Sequence, residues 1–279
     1  MVNREKRYDL QSVKNDLKSF FQDNSHRAYK YGSKTIFCNK DSIFYKKQLQ
    51  IIFEDVYPHD VTGKAVNELI KEGLLKEERH TFGKNNDVPI NFVYKKDRRY
   101  VSREIKDRIK IVEKYSDDEL NDGCGKYAEL LLNHMFETSQ FKIIDRNTRT
   151  YKGKSWKRSK KDLDFIIAKD ECVYGVEVKN TFDYMPQYEF QEKVDMCEFL
   201  GILPLFPVRF ASPQQLEIME QVGGLLLIFK TRIFPPGNQK LVTEIWNNFR
   251  LPVNVWYTMS NPVKSNFVSF HIRTRENKK

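Results

Sequence analysis

The sequence predicts an α/β protein in which a mixed sheet is flanked by helices and preceded by a small, mainly helical unit. Three observations carry this prediction. Residues 162–180 alternate apolar and polar side chains on both sides of a polar turn, as two adjacent strands do. Residues 40–97 show helical periodicity twice and then two strand-like runs around a glycine-bearing tip. After residue 180, helical stripes alternate with short apolar runs, the order from which helix-covered sheets are built.

Composition narrows the function classes. A chain of 279 residues, 40% of them hydrophobic, can form one large or two modest cores. No apolar run is long enough to span a bilayer, so no membrane partner is expected. The opening Met-Val-Asn-Arg-Glu-Lys-Arg has no apolar segment behind it, which predicts no signal peptide and a cytoplasmic location. Cys38, Cys124, Cys172 and Cys197 are widely scattered, which fits reduced thiols and excludes a local zinc site. A formal net charge of +10 favours a polyanionic partner; charge alone fits nucleic acid and an anionic membrane surface equally, and nucleic acid is the partner expected.

From the start of the chain, Asp9 is placed to cap a helix with the stripe Leu10, Val13, Leu17, Phe20 and Phe21. Segment 24–33, with Asn24, Ser25 and Gly32, reads as a loop, and Thr35 to Cys38 as a short strand. Leu49, Ile52, Phe53 and Val56 make a second helix, stopped by Pro58, with His59 in a turn. A third helix spans 62–72 and closes on Gly73 in a left-handed cap. Val66, Leu69 and Ile70 face inward there, and Lys64, Asn67 and Lys71 outward. Strands at 74–82 and 90–96 flank a tip at 83–87. This succession resembles a winged helix, on pattern alone. The resemblance implies binding to double-stranded DNA, with helix 62–72 in a major groove and Lys84 on a phosphate, although Glu68 would repel that backbone. The same fold also serves protein contacts.

Residues 98–122 read as a joint, dividing a unit at 1–100 from one at 123–279. A charged helix at 102–115 has its apolar stripe at Ile105, Ile109 and Val112, and an acidic loop follows at 116–123. The next helix, about 124–137, buries Ala128, Leu131, Leu132 and Met135, with Glu129 beside the stripe and His134 structural. Phe141 to Asp145 is a candidate first strand. Residues 146–161 then contain no acid. Arg149, Lys152, Lys154, Lys157, Arg158, Lys160 and Lys161 are interleaved with Tyr151 and Trp156, a loop composition that tracks phosphates and stacks rings on sugar or base.

The chemistry concentrates in 162–180. Leu163, Phe165 and Ile167 share one face of the first strand, and Asp162, Asp164 and Ile166 the other. After a turn at Lys169, Asp170 and Glu171, the second strand puts Gly175, Glu177 and Lys179 on one face. Two carboxylates can hold a hard divalent cation, and an adjacent ammonium can polarise water or steady a phosphate. Asp164, followed thirteen positions later by Glu177-Val178-Lys179, resembles the signature of the PD-(D/E)XK nuclease superfamily, with Leu163 in place of the proline. The resemblance implies a restriction-endonuclease-like fold. It also implies Asp164 and Glu177 as Mg²⁺ ligands (Mn²⁺ as a substitute), with the Val178 carbonyl as a third, and Lys179 beside the attacking water. A helix before the first strand often adds a Glu in that superfamily. Glu129 occupies this place, or is a solvated helix-edge residue. Glu104-Ile105-Lys106 repeats the triplet on a helix, where residues two apart diverge.

Beyond the motif, Pro186 to Gly201 bounds a helix with Phe190, Val194 and Cys197 inside and Gln191 and Lys193 toward the cleft. A strand at 203–210, a helix at 213–222, a strand at 224–230, a helix at 238–249, a strand at 253–257 and a polar basic tail complete the chain. The expectation is a metal-dependent DNA endonuclease, related to restriction or defence and compatible with a homodimer. Its make-up is similar to Mrr-like and type IIS-like restriction enzymes. The alternatives are a Holliday-junction or repair nuclease, and a non-catalytic DNA-binding regulator.

Overall fold

The structure, a computed structural model, describes residues 9–22, 28–31, 34–37 and 43–277. It is a mixed α/β protein whose main sheet has helices on both faces. The chain forms two compact units, residues 1–117 with 243–251 and residues 118–242 with 252–279.

In the first unit, α1 (Leu10–Gln22) starts at Asp9, whose carboxylate accepts the backbone N–H groups of Gln11 and Ser12 at 3.1 and 3.2 Å. Val13, Leu17, Phe20 and Phe21 are buried, as their helical spacing requires. β1 (Ala28–Tyr31) and β2 (Lys34–Phe37) pair antiparallel, so part of the loop expected at 24–33 is a strand. Asn24, Ser25, Gly32 and Cys38 lie outside the described residues. β3 (Phe44–Tyr45), α2 (Lys46–Phe53), α3 (His59–Lys71), β4 (Leu75–Phe82) and β5 (Val88–Lys95) follow, the strands forming an antiparallel sheet in the order β3-β5-β4. The backbone of Pro58 (φ −58°) starts α3 earlier than expected. His59 is therefore helical and not in a turn, with Nε2 3.2 Å from Glu54. Gly73 ends α3 at φ 72°, the left-handed cap its position predicts. Phe20 packs its ring against those of Phe44 and Phe53, both at 5.3 Å, and Val66, Leu69 and Val93 complete this core. α4 (Val101–Tyr115) belongs to this unit and buries Ile105 and Val112. Glu104 is paired with Arg98 and Arg108 and Lys106 is exposed, so the second Glu-x-Lys triplet does not converge.

The second unit opens with α5 (Asp118–Thr138), which takes in most of the acidic stretch expected to be a loop. Asp118 and Glu119 lie in its first turn, where the helix dipole favours negative charge. β6 (Lys142–Thr148), β7 (Thr150–Tyr151), β8 (Lys154–Ser155), β9 (Leu163–Lys169), β10 (Cys172–Val176), α6 (Gln187–Leu200), β11 (Leu203–Val208), α7 (Pro213–Gln221) and β12 (Leu225–Ile228) come next. They are followed by β13 (Arg232–Phe234), α8 (Gln239–Phe249), whose residues 243–249 belong to the first unit, β14 (Val253–Val255) and α9 (Asn261–Glu276). The main sheet has the order β12-β11-β10-β9-β6; β6, β9 and β10 run antiparallel, and β10, β11 and β12 parallel. Asp170 and Glu171 turn β9 into β10 with φ of 47° and 63°, a two-residue hairpin whose twist suits the strands.

Phe165, Ile167, Tyr174 and Val176 pack against α5 and α9, while Ile166, Phe206 and Val208 pack against α6 and α7. Leu163 joins the second group, departing from the face expected with Phe165 and Ile167. The expected polar tail is instead α9, with Pro262 in its first turn and Val263, Phe267 and His271 buried at four-residue spacing. No described helix is long and apolar enough to cross a membrane. Cys124, Cys172 and Cys197 are buried free thiols.

Candidate active site

The β9–β10 ladder ends at the pair Phe165–Val176, which makes Asp164 and Glu177 the next residues facing each other. Here β10 loses β9 and continues along β11, its partner on the other edge since Tyr174. Glu177 and Lys179 donate their N–H groups to the carbonyls of Leu205 and Pro207 on β11, at 3.4 and 2.9 Å. The Val178 N–H, left without a strand partner, donates to Asp164 Oδ2 at 2.7 Å. The parting of two strands thus opens a gap, and the Asp164 carboxylate fills it in a fixed orientation.

Helix α6 closes the other side. Gly175 admits it: a Cβ there would stand 2.6 Å from Cys197 Sγ and 2.9 Å from Leu163. At this approach Lys193 Nζ donates to Glu177 Oε2 at 2.6 Å and also to the carbonyl of Asp162. One helical turn earlier, Glu189 Oε1 accepts from Lys179 Nζ at 2.9 Å. Each charged residue of the Glu-x-Lys triplet is therefore gripped by one residue of α6. Lys193 was expected near the cleft. Gln191, expected beside it, is exposed and bonds Asp195, as the helical period requires. Glu189 was not foreseen, although its four-residue spacing from Lys193 beside the Phe190–Val194 stripe is the signal for it.

The electrostatics are those of a crowded anionic site. Burial, then the charge of Asp164, pushes the Glu177 carboxyl up to about 8 against the pull of Lys193. Burial also raises Asp164, opposed by the Val178 N–H bond and by Lys193 and Lys179. Glu129 on α5 is raised by burial and then by Asp164, which places it within electrostatic reach of the pair. A cation among these carboxylates would relieve all three. Among the described residues no group of three or more His, Cys, Asp or Glu is placed to hold a metal ion. The oxygen donors brought together are one pair, Asp164 and Glu177, with the Val178 carbonyl the third that the resemblance implies. That set fits Mg²⁺, which binds through one or two carboxylates and keeps its remaining sites for water and phosphate. Asp162 turns its side chain to Arg149 at 3.8 Å, and Asp145 is exposed on β6, so neither joins the pair.

The basic segment is more ordered than a loop. It holds the end of β6 and the β7–β8 hairpin. Trp156 is 3% exposed and packs with Leu163, Ile166 and Phe190, which corrects the expectation of a base-stacking ring. Arg149 bonds the Ser159 carbonyl, Lys154 that of Phe199, Arg158 lies 3.9 Å from Asp195, and Lys161 pairs with Glu192 at 2.9 Å. Lys152, Lys157 and Lys160 are exposed. Two exposed aromatics of α6 lie against this segment: Tyr188, with Lys161 Nζ 4.8 Å from its ring centre, and Phe199, with Lys154 Nζ 6.0 Å from its own. On α3, Lys64 faces Asp60 at 3.5 Å, Asn67 accepts from Lys46 at 2.9 Å and Lys71 pairs with Glu68 at 2.8 Å. All three α3 positions are exposed, as their outward phase predicts.

Compared with known proteins, the chain matches no family model, no curated protein and no solved structure.

Proposed function

We propose that the protein is a Mg²⁺-dependent DNA endonuclease, with a restriction-endonuclease-like second unit and a winged-helix first unit that binds duplex. The observation that carries this reading is the meeting of Asp164 and Glu177 where β9 and β10 part, with Lys179 two residues on. Two orders of elements support it. With the β7–β8 hairpin set aside, the order α5-β6-β9-β10-α6-β11 agrees with the α-β-β-β-α-β order expected of a PD-(D/E)XK core. With the β1–β2 pair set aside, the order α1-β3-α2-α3-β4-β5, with β3 beside β5, suits a winged helix.

Mg²⁺ bound at this pair would offset charge on the scissile phosphate and lower the pKa of a water. Asp164 is held by the Val178 N–H and Glu177 by Lys193, so the donor pair is oriented before substrate arrives. Lys179, steadied by Glu189, is the ammonium that orients the attacking water or the phosphate oxygen. Lys152, Lys157 and Lys160 supply charge for the nucleic-acid backbone. A role in restriction is the analogy this architecture suggests.

One observation favours a rival. Both charged triplet residues already have partners inside the protein, as they would in a non-catalytic DNA-binding regulator. Incubation with plasmid, branched and single-stranded DNA, in Mg²⁺ or EDTA, separates the readings. The endonuclease reading expects cleavage in Mg²⁺, none in EDTA and none by Asp164→Ala. DNA binding without cleavage of any substrate, in Mg²⁺ or Mn²⁺, would establish the regulator. Preference for the branched substrate would indicate repair rather than restriction.

A further inference from the structure

The buried lysine of α6 lies outside the Asp/Glu-x-Lys signature. Lys193 is 4% exposed and its ammonium touches two oxygens, Glu177 Oε2 at 2.6 Å and the Asp162 carbonyl. Those oxygens lie at the open ends of both strands of the hairpin, two residues before Asp164 on one and at Glu177 itself on the other. A buried ammonium needs such partners, and here they fix its position as firmly as it fixes theirs. With Oε2 taken, Oε1 is the Glu177 oxygen left to meet a cation beside Asp164. Gly175 makes the arrangement available, since any larger residue would push α6 away from the hairpin.

We infer that Lys193 is a positioning residue for the metal ligands: it holds Glu177 from behind and ties the Asp162 end of β9 to β10, so that the two carboxylates present one preformed cation site. This rests on the endonuclease reading for its purpose, but its physical content is metal affinity alone. Outer-shell partners of carboxylate and histidine ligands typically contribute 10–100-fold in affinity. Lys193 is assigned that part here and is not placed in contact with substrate.

The test measures Mn²⁺ binding to the full-length protein by calorimetry without DNA, alongside the Mg²⁺ concentration that gives half-maximal plasmid cleavage. Lys193→Met is expected to weaken Mn²⁺ binding and raise the half-maximal Mg²⁺ concentration, each by about 10-fold or more. At saturating Mg²⁺ its turnover should return to within a few-fold of the parent. Lys193→Arg should recover part of the affinity. Should Lys193→Met fold poorly, Lys193→Met/Glu177→Gln removes the stranded charge, and it should bind Mn²⁺ no worse than Glu177→Gln alone. Unchanged or tighter Mn²⁺ binding by Lys193→Met overturns the inference. So does lost turnover at an unchanged half-maximal Mg²⁺ concentration, which would mean contact with the reacting groups. If the parent cuts no nucleic acid yet binds Mn²⁺, and Lys193→Met binds it 10-fold less, the endonuclease reading falls and the positioning role stands. If the parent binds no Mn²⁺, both fall.

Discussion

Helix α3 of the first unit and helix α6 of the second carry similar glutamates and lysines, and the structure treats them in opposite ways. Lys71 and Glu68 on α3 meet at 2.8 Å with side chains 72% and 37% exposed. Lys193 on α6 and Glu177 meet at 2.6 Å with side chains 5% and 9% exposed. The contact lengths hardly differ, but the surrounding dielectric does. In water the α3 pair is screened and can be broken by a passing phosphate, so its lysine stays available to a ligand. The α6 pair has no solvent to return to, so removing one partner strands the other. On the proposed function, the exposed lysine of α3 is therefore a binding resource and the buried lysine of α6 a positioning device. Reading α3 as a reader and α6 as part of a site rests on that difference in burial.

The sharpest way to break this comparison is to empty the buried site. Asp164→Ala and Glu177→Ala should each reduce cleavage by at least about 10³-fold, while duplex affinity in a gel-shift titration stays near that of the parent. Lys179→Ala should reduce it by roughly 10²–10³-fold and leave Mn²⁺ binding intact. Full Mg²⁺-dependent cleavage by Asp164→Ala would remove the site assignment altogether.

A second experiment sets the two pairs directly against each other in chemical denaturation. Lys193→Met should lower stability by about 3 kcal/mol, toward the smaller end for a broken buried pair because Glu177 can take up a proton. Lys71→Met should leave the midpoint unchanged and instead weaken duplex binding. Equal effects on stability would erase the distinction.

The exposed lysines of the basic segment extend the comparison to a third region. Replacing Lys157 and Lys160 by Ala should weaken binding to all duplexes alike and reduce the log–log salt slope by roughly 0.9 per lost phosphate contact. Arg149 and Lys154, already bonded to backbone carbonyls, should move that slope less. An unchanged slope in the double variant would show that these lysines never meet the phosphates.

The smallest expected effect concerns another buried ionisable group. His271 Nδ1 lies 2.9 Å from the Tyr174 hydroxyl and Nε2 3.3 Å from Asp170, inside the core that α9 builds. Burial pushes its pKa below the ordinary 6.5, a drop that the nearby Asp170 opposes. The unfolded chain then binds the proton more readily than the folded one. His271 thus costs no stability above pH 6.5, and stability is lost as the pH falls from there toward the folded value. Thermal melts from pH 7 to 5 should show a steeper decline for the parent than for His271→Phe. Parallel curves would mean that His271 takes up its proton as readily in the folded chain as in the unfolded one.

Much of the secondary structure was legible because it rests on local rules. The left-handed cap at Gly73, the Pro186–Gly201 bounds of α6 and the alternation around Asp164 and Glu177 need only a few neighbouring residues to decide them. The acidic start of α5 and the whole of α9 were misread for a related reason: both are polar on most sides. Their helical signals are Asp118 and Glu119 in a first turn, and Pro262 before Val263 and Phe267. Polar composition obscured these marks, and burial against the sheet outweighed it.

What the sequence determined by itself is the candidate chemistry: an Asp, a Glu and a Lys placed by strand periodicity on one side of a hairpin, beside a glycine. Periodicity is a property of the backbone and travels with the chain. What only the tertiary structure decided is which charges are buried and with whom. Trp156 went to the core rather than to a ligand because a hydrophobic cluster lay within its reach. Val178 gave its N–H to Asp164 because the backbone ladder between β9 and β10 had already ended at Phe165 and Val176. Lys193 reached Glu177 because α6 lies against the hairpin at Gly175. Each of these depends on desolvation by residues far away in sequence, and no local pattern encodes desolvation.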